Sequence, residues 1–213
     1  MTGEFAFIDA LRALATHPAA RGLADDVAVL DVGGETLVLT HDMMVEGVHV
    51  LPGQDPADIA WKLVAVNLSD LAGKGAEPVA VLLGHMLGTD DARFLEGLGE
   101  VLGEYGVPLL GGDTVRGSEA PRAWGCTAIG RATYRPVPSR GGARPGDALF
   151  VSGRIGRAML GFEALRDGTG TVVPATLTFN AATRTATLDP DALLAANTTY
   201  TATVQSAQDL AGR

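Results

Sequence analysis

The sequence predicts an α/β chain that closes with a small β-rich segment. Three observations predict it. Up to about residue 168, runs with apolar residues at helical spacing alternate with short strand-like runs. Of 28 glycines, 27 lie at or before Gly170. Threonine does the reverse and fills ten of the last 43 positions. This shift marks a joint at Gly168-Thr169-Gly170 between segments 1–168 and 171–213.

The elements follow in order. Glu4–Leu14 is expected to be a helix, because Phe5, Ile8, Leu11 and Leu14 share one face. Val27–Asp31 and Leu37–Thr40 read as strands around the turn pair Gly33-Gly34. Asp55-Pro56 opens a second helix, a capping acid followed by proline in the first turn, and the helix should reach about Leu71. Val79–Leu87 is a strand, and Asp90 caps a third helix through Tyr105. Val107–Leu110 is expected to be a short buried strand, with Trp124–Ala132 another. Leu149–Ser152 and Ile155–Leu165 give a further strand and helix. In the last segment, Leu177 with Phe179, Ala186 with Leu188, and Tyr200 with Ala202 and Val204 alternate with polar residues. They predict three strands of a sandwich fragment.

Composition narrows the function. The 213 residues carry a net charge of −9, which argues against a nucleic-acid or membrane-surface partner. No apolar run reaches the length of a membrane span, and no basic-then-apolar leader is visible. Cys126 is the single cysteine, so no internal disulfide is expected and a cytoplasmic setting is the default. Among the acidic residues, 16 are Asp and 9 are Glu. Asp is the short carboxylate suited to hard cations.

Several aspartates fall at informative places. Asp25-Asp26 precede a predicted strand, and Asp42 follows one. Asp70 stands three residues after Asn67 on the same helix face. Asp113 follows a predicted buried strand and Gly111-Gly112. Open α/β sheets bind ligands at strand ends, so carboxylates from four elements can converge there on magnesium. Taken singly, each of these aspartates serves as readily as a cap or turn former. Arg140 and Arg116 are available for charge-assisted bonds to phosphate.

The ordered series Asp25-Asp26-Val27-Ala28, Thr40-His41-Asp42, Glu46-Gly47-Val48-His49, Asn67–Ala72, Gly111-Gly112-Asp113-Thr114 and Ser139–Asp147 resembles the thiamine-monophosphate kinase family. That family belongs to the aminoimidazole ribonucleotide synthetase-like superfamily, and the resemblance covers about residues 3–167. It implies ATP-dependent phosphorylation of thiamine monophosphate to thiamine diphosphate. It places Asp26, Thr40, Asp42, Asp70 and Asp113 at magnesium, His49 at the substrate, and Tyr105 and Arg140 at the nucleotide. It implies a mixed-sheet N-terminal domain over 1–140 that pairs across a homodimer. Residues 141–168 would be the start of a C-terminal α/β domain whose remainder, with further metal and substrate ligands, is missing, so activity should be impaired. Ala24 stands where the family usually has glycine, and a positive φ there would strain it by roughly 1 kcal/mol. Residues 171–213 resemble the end of a bacterial immunoglobulin-like module. Two other readings stay open: a sister ATP-dependent enzyme of the superfamily, and a non-enzymatic binding or surface module.

Overall fold

The computed structural model describes residues 3–117, 121–151, 155–166, 175–180 and 185–190. They fall into two units, Met1–Asp147 and Ala148–Arg213.

The first unit opens with helix α1 (Glu4–Arg12) and a 3-10 turn over Pro18–Leu23. Strands β1 (Ala28–Val32) and β2 (Glu35–Val45) form the expected hairpin. Gly33 and Gly34 take φ of +59° and +89°, the left-handed pair that a tight hairpin needs. Helix α2 (Pro56–Gly73) starts at Asp55, whose carboxylate accepts the N–H of Ala57 at 2.9 Å. Then come β3 (Ala76–Met86), α3 (Asp91–Tyr105), β4 (Leu109–Val115) and β5 (Ala123–Ala132). The sheet order is β1-β2-β5-β3-β4, antiparallel except for the β3–β4 pair that α3 connects. The sheet is therefore mixed, as expected.

Helix α2 lies on one face of the sheet against β2, β3 and β5, and α3 packs on α2. Ile59, Leu63, Val64, Leu68 and Leu71 bury the sheet-facing stripe of α2 against Val38, Val81, Cys126 and Ala128. Alternation along β2 buries Thr36, Val38, Thr40 and Met44, while His41 and Met43 point to the uncovered face. That second face carries exposed apolar side chains, Met43 and Leu82 among them.

Several expectations are corrected. Strand β2 does not stop at Thr40. The ladder to β5 continues to Val45 opposite Ala123, so Asp42 sits within the strand opposite Cys126. Likewise Asp113 lies inside β4 rather than after it, and β4 is exposed along its whole length because it is the edge strand. Its Gly112 takes φ +150°, and a Cβ there would fall 1.7 Å from the carbonyl oxygen of Leu83. Asp90 starts α3 without a side-chain cap bond. Its neighbour Asp91 holds the turn instead, accepting the N–H of Gly88 at 3.0 Å. Ala24 has φ −104°, so the strain expected there is absent; Arg21 and Leu23 carry the positive φ instead.

In the second unit, residues 149–151 have no regular structure, in place of the predicted strand, and Ser152 lies outside the described residues. Helix α4 spans Arg157–Arg166. Strands β6 (Ala175–Asn180) and β7 (Thr185–Pro190) pair antiparallel, as the alternation predicts. The third predicted strand, Tyr200–Val204, lies outside the described residues.

Candidate functional site

The end of α2, the loop before β1, the middle of β2 and the loop at Arg140 meet at one place. The side chain of Thr40 is buried on the helix-facing side of β2. Its hydroxyl donates to Asp70 Oδ2 at 2.7 Å, with the Asp26 carbonyl a longer contact at 3.3 Å. Asn67 is fully buried and joins α2 to β2: its carbonyl oxygen accepts the N–H of Asp42 at 3.0 Å, and its amide donates to Leu63 O at 2.8 Å. This bond is available because β1 begins at Ala28, opposite Leu39, and beyond that pair no described strand lies on this edge of β2. The i, i+3 spacing of Asn67 and Asp70 thus aims both side chains at β2.

Asp42, Asp70 and Asp26 feel one another. The Asp42 carboxyl is held above the usual carboxylate range, first by burial, then by the charges of Asp70 and Asp26, with His41 and His49 acting in the opposite direction. His49 accepts the N–H of Val45 at its Nδ1, 3.1 Å away, which leaves Nε2 as the available nitrogen. His41 lies on the uncovered face, bonded to Thr127. Arg140 reaches across the chain to form an ion pair with the Asp26 carboxylate.

The sequence alone did not reveal the role of Asp25. Its side chain is 2% exposed and forms ion pairs with Lys74 and with Arg21 at 3.2 Å. Burial pushes its carboxyl up, but Lys74 and the N–H groups of Arg140 and Asp26 outweigh this, and the net shift is downward. The available signal was Lys74, one of only two lysines, four residues after Asp70 on the same helix face.

Two expected members stand apart. Asp113 is three strands from β2, through the register Met43–Gly125–Gly84–Asp113, or about 14 Å at ordinary strand spacing. Tyr105 packs edge-on against Trp61, with ring centroids 6.3 Å apart. Trp61 precedes Asp70 by nine residues, about 13 Å along the axis of α2. A cavity of about 510 Å³ lies elsewhere, lined by residues including Val29, Asp31, Thr36 and Arg135. Its polar groups already serve one another or the backbone, as in Thr36 to Asp31 and Arg135 to Gly34 O.

The donors at the Asp42 site are carboxylate, hydroxyl and amide oxygens, the chemistry a hard dication takes. Among the described residues no three acidic, imidazole or thiol groups yet stand close enough to hold an ion. Asp26 is engaged by Arg140 and Asp70 by Thr40. The donor set fits magnesium by type, and Asp26 is the member tied up in an exposed ion pair.

Comparisons with known proteins give the chain its family and its fold relatives. The model for the AIR synthase related protein, N-terminal domain, matches residues 24–132, and that for a bacterial Ig-like domain matches 156–213. The thiamine-monophosphate kinase of Escherichia coli (strain K12) is 40% identical over 153 residues, covering 68% of this chain and 46% of that protein. The Caulobacter vibrioides thiamine-monophosphate kinase is 44% identical over 153 residues, covering 69% and 43%. Among solved structures, AaThiL complexed with AMPPCP and TMP matches with a TM-score of 0.70 and 29% identity, over 81% of this chain and 55% of that one. The chain spans about half the length of the relatives it matches. With the five-stranded mixed sheet and more than half of its length matched, the chain belongs to the AIR synthase related protein family through its N-terminal domain.

Proposed function

We propose that this chain binds ATP with magnesium and serves the phosphorylation of thiamine monophosphate to thiamine diphosphate. The observation that carries this reading is the meeting of Thr40, Asp42, Asp70 and Asp26 with Arg140, in a chain 40% identical to a thiamine-monophosphate kinase. Phosphoryl transfer asks mainly for positioning and for neutralised phosphate charge. A chain of net charge −9 repels a polyphosphate, and a cluster of aspartates repels it further. Asp26, Asp42 and Asp70 would hold magnesium, and Asp113, about 14 Å away at the sheet edge, would take an ion of its own. When bound, magnesium supplies the positive charge that steadies the polyphosphate.

The chain's own residues do the rest. Asn67 holds the Asp42 backbone, Thr40 orients Asp70, and Arg140 offers a guanidinium to phosphate oxygens. His49 presents Nε2 to the substrate, and Tyr105 stands ready to stack on a nucleotide base. The uncovered apolar sheet face supports a homodimer through this face, since exposed apolar patches of this kind mark interfaces. No helix among the described residues is long and apolar enough to cross a membrane, and the proposed setting is the cytoplasm.

Calorimetric titration of the full chain with AMPPCP tests the reading. Binding with magnesium and none without it is expected. Magnesium-independent binding, or no binding at all, overturns it. An acceptor panel with ATP consumption as readout then separates thiamine monophosphate from other phosphate acceptors. Light scattering tests the dimer, and a Met43→Glu variant is expected to be monomeric.

A further inference from the structure

Two aspartates adjacent in sequence stand in opposite surroundings. The Asp25 carboxylate is 2% exposed, and its partner Lys74 has a side chain 9% exposed. The same carboxylate pairs with Arg21 and accepts two backbone N–H groups, that of Asp26 at 3.0 Å and that of Arg140 at 3.4 Å. Four segments thus end on one buried group: the 3-10 turn, the loop before β1, the end of α2, and the Arg140 loop. Asp26 differs on each count. Its side chain is 44% exposed and pairs with Arg140, itself 63% exposed.

The two ion pairs therefore respond differently to a competitor. Breaking the buried pair leaves an uncompensated charge inside the protein, which is strongly unfavourable. Exposed pairs contribute little and are screened by salt. A divalent cation arriving here meets one carboxylate locked in place and one that is readily released. Resting on the magnesium reading above, we propose that Asp25 is a positioning residue that pins the Asp26 and Arg140 backbones together, and that Asp26 exchanges the Arg140 guanidinium for a divalent cation. The exchange frees Arg140 for a phosphate oxygen while its backbone stays anchored on Asp25. The Arg140 guanidinium already sits on the Asp26 carboxylate, the group a cation would have to win.

Manganese alone is the probe, with free manganese counted by electron paramagnetic resonance. Arg140→Ala removes the competitor and is expected to tighten manganese binding by about three- to fivefold, the range of an exposed pair. Arg144→Ala, which removes a charge from the same loop but not from Asp26, is the control and should leave affinity unchanged. An unchanged or weaker affinity in Arg140→Ala overturns the exchange, as does an equal gain in Arg144→Ala.

Amide hydrogen exchange reads the anchor without any metal. Asp25→Asn is expected to speed exchange at 26 and 139–141 by at least about tenfold, with α2 and α3 still protected. If Asp25→Asn fails to fold, Lys74→Met, which leaves Arg21 on Asp25, is expected to give a smaller rise at the same amides. No rise in the folded variant overturns the anchor. If the wild-type chain binds no manganese, the magnesium reading and the exchange both fall, and the anchor is still decided by the amides.

Discussion

Gly97→Ala offers a direct trial of how closely α2 and α3 approach. In an open helix, alanine in place of glycine stabilises by about 1 kcal/mol. At Gly97 a Cβ would sit 2.4 Å from Ala57 O and 2.5 Å from its Cα. Ordinary contact begins near 3.4 Å, so the two helices must part by about 1 Å at a backbone that has no side chain to swing aside. Overpacking of this kind costs roughly 1–3 kcal/mol, and it outweighs the gain in propensity. Gly99, two positions along the same helix, has nothing within 4 Å of its Cβ position. Gly99→Ala should therefore stabilise by up to about 1 kcal/mol while Gly97→Ala destabilises by about 1–2 kcal/mol. Urea unfolding followed by tryptophan fluorescence measures both, because Trp61 and Trp124 are the only tryptophans and both lie in the first unit. Equal stabilisation by the two variants would refute the close approach and the packing argument built on it.

Asp42→Asn should abolish magnesium-dependent AMPPCP binding yet raise the urea midpoint, because it removes a carboxylate that burial and its neighbours keep unfavourably charged; calorimetry and unfolding check the two halves. Asn67→Ala should cost about 2–3 kcal/mol, since it strips the Asp42 N–H and the Leu63 carbonyl of a buried partner, and unfolding curves measure it. The Asp91 carboxyl is pulled up by burial but lowered on balance by His85, the Gly88 N–H and Arg122. A lowered carboxyl contributes stability in full above about pH 4 and loses it as pH falls further, so Asp91→Asn should flatten the acid limb of stability against pH.

Much of this was legible in the chain. Asp55-Pro56 announced α2, Gly33-Gly34 announced the first hairpin, and the Asn67–Asp70 spacing aimed both side chains at β2. What stayed hidden depends on partners distant in sequence. The length of β2 is set by β5, some 80 residues later, and Thr40-His41-Asp42 looked like a strand end only without that ladder. The two members of the Asp25-Asp26 pair look alike in sequence, and only Lys74, Arg21 and Arg140 tell them apart. Asp113 was grouped with the other carboxylates by its place at a predicted strand end, and Tyr105 by family likeness; the register of the sheet and the length of α2 separate them from Asp42 and Asp70.

Strand β4 has a consequence for anyone handling the protein. Among the described residues no strand pairs with its outer rim, beside Leu109, Leu110 and Val115, which makes it a ready template for a neighbouring molecule's strand. The acidic side chain midway along that rim acts as a gatekeeper, because stacked copies would bring like charges face to face. Neutralising Asp113 therefore removes colloidal protection as well as a candidate ligand, and turbidity must be measured beside any loss of nucleotide binding.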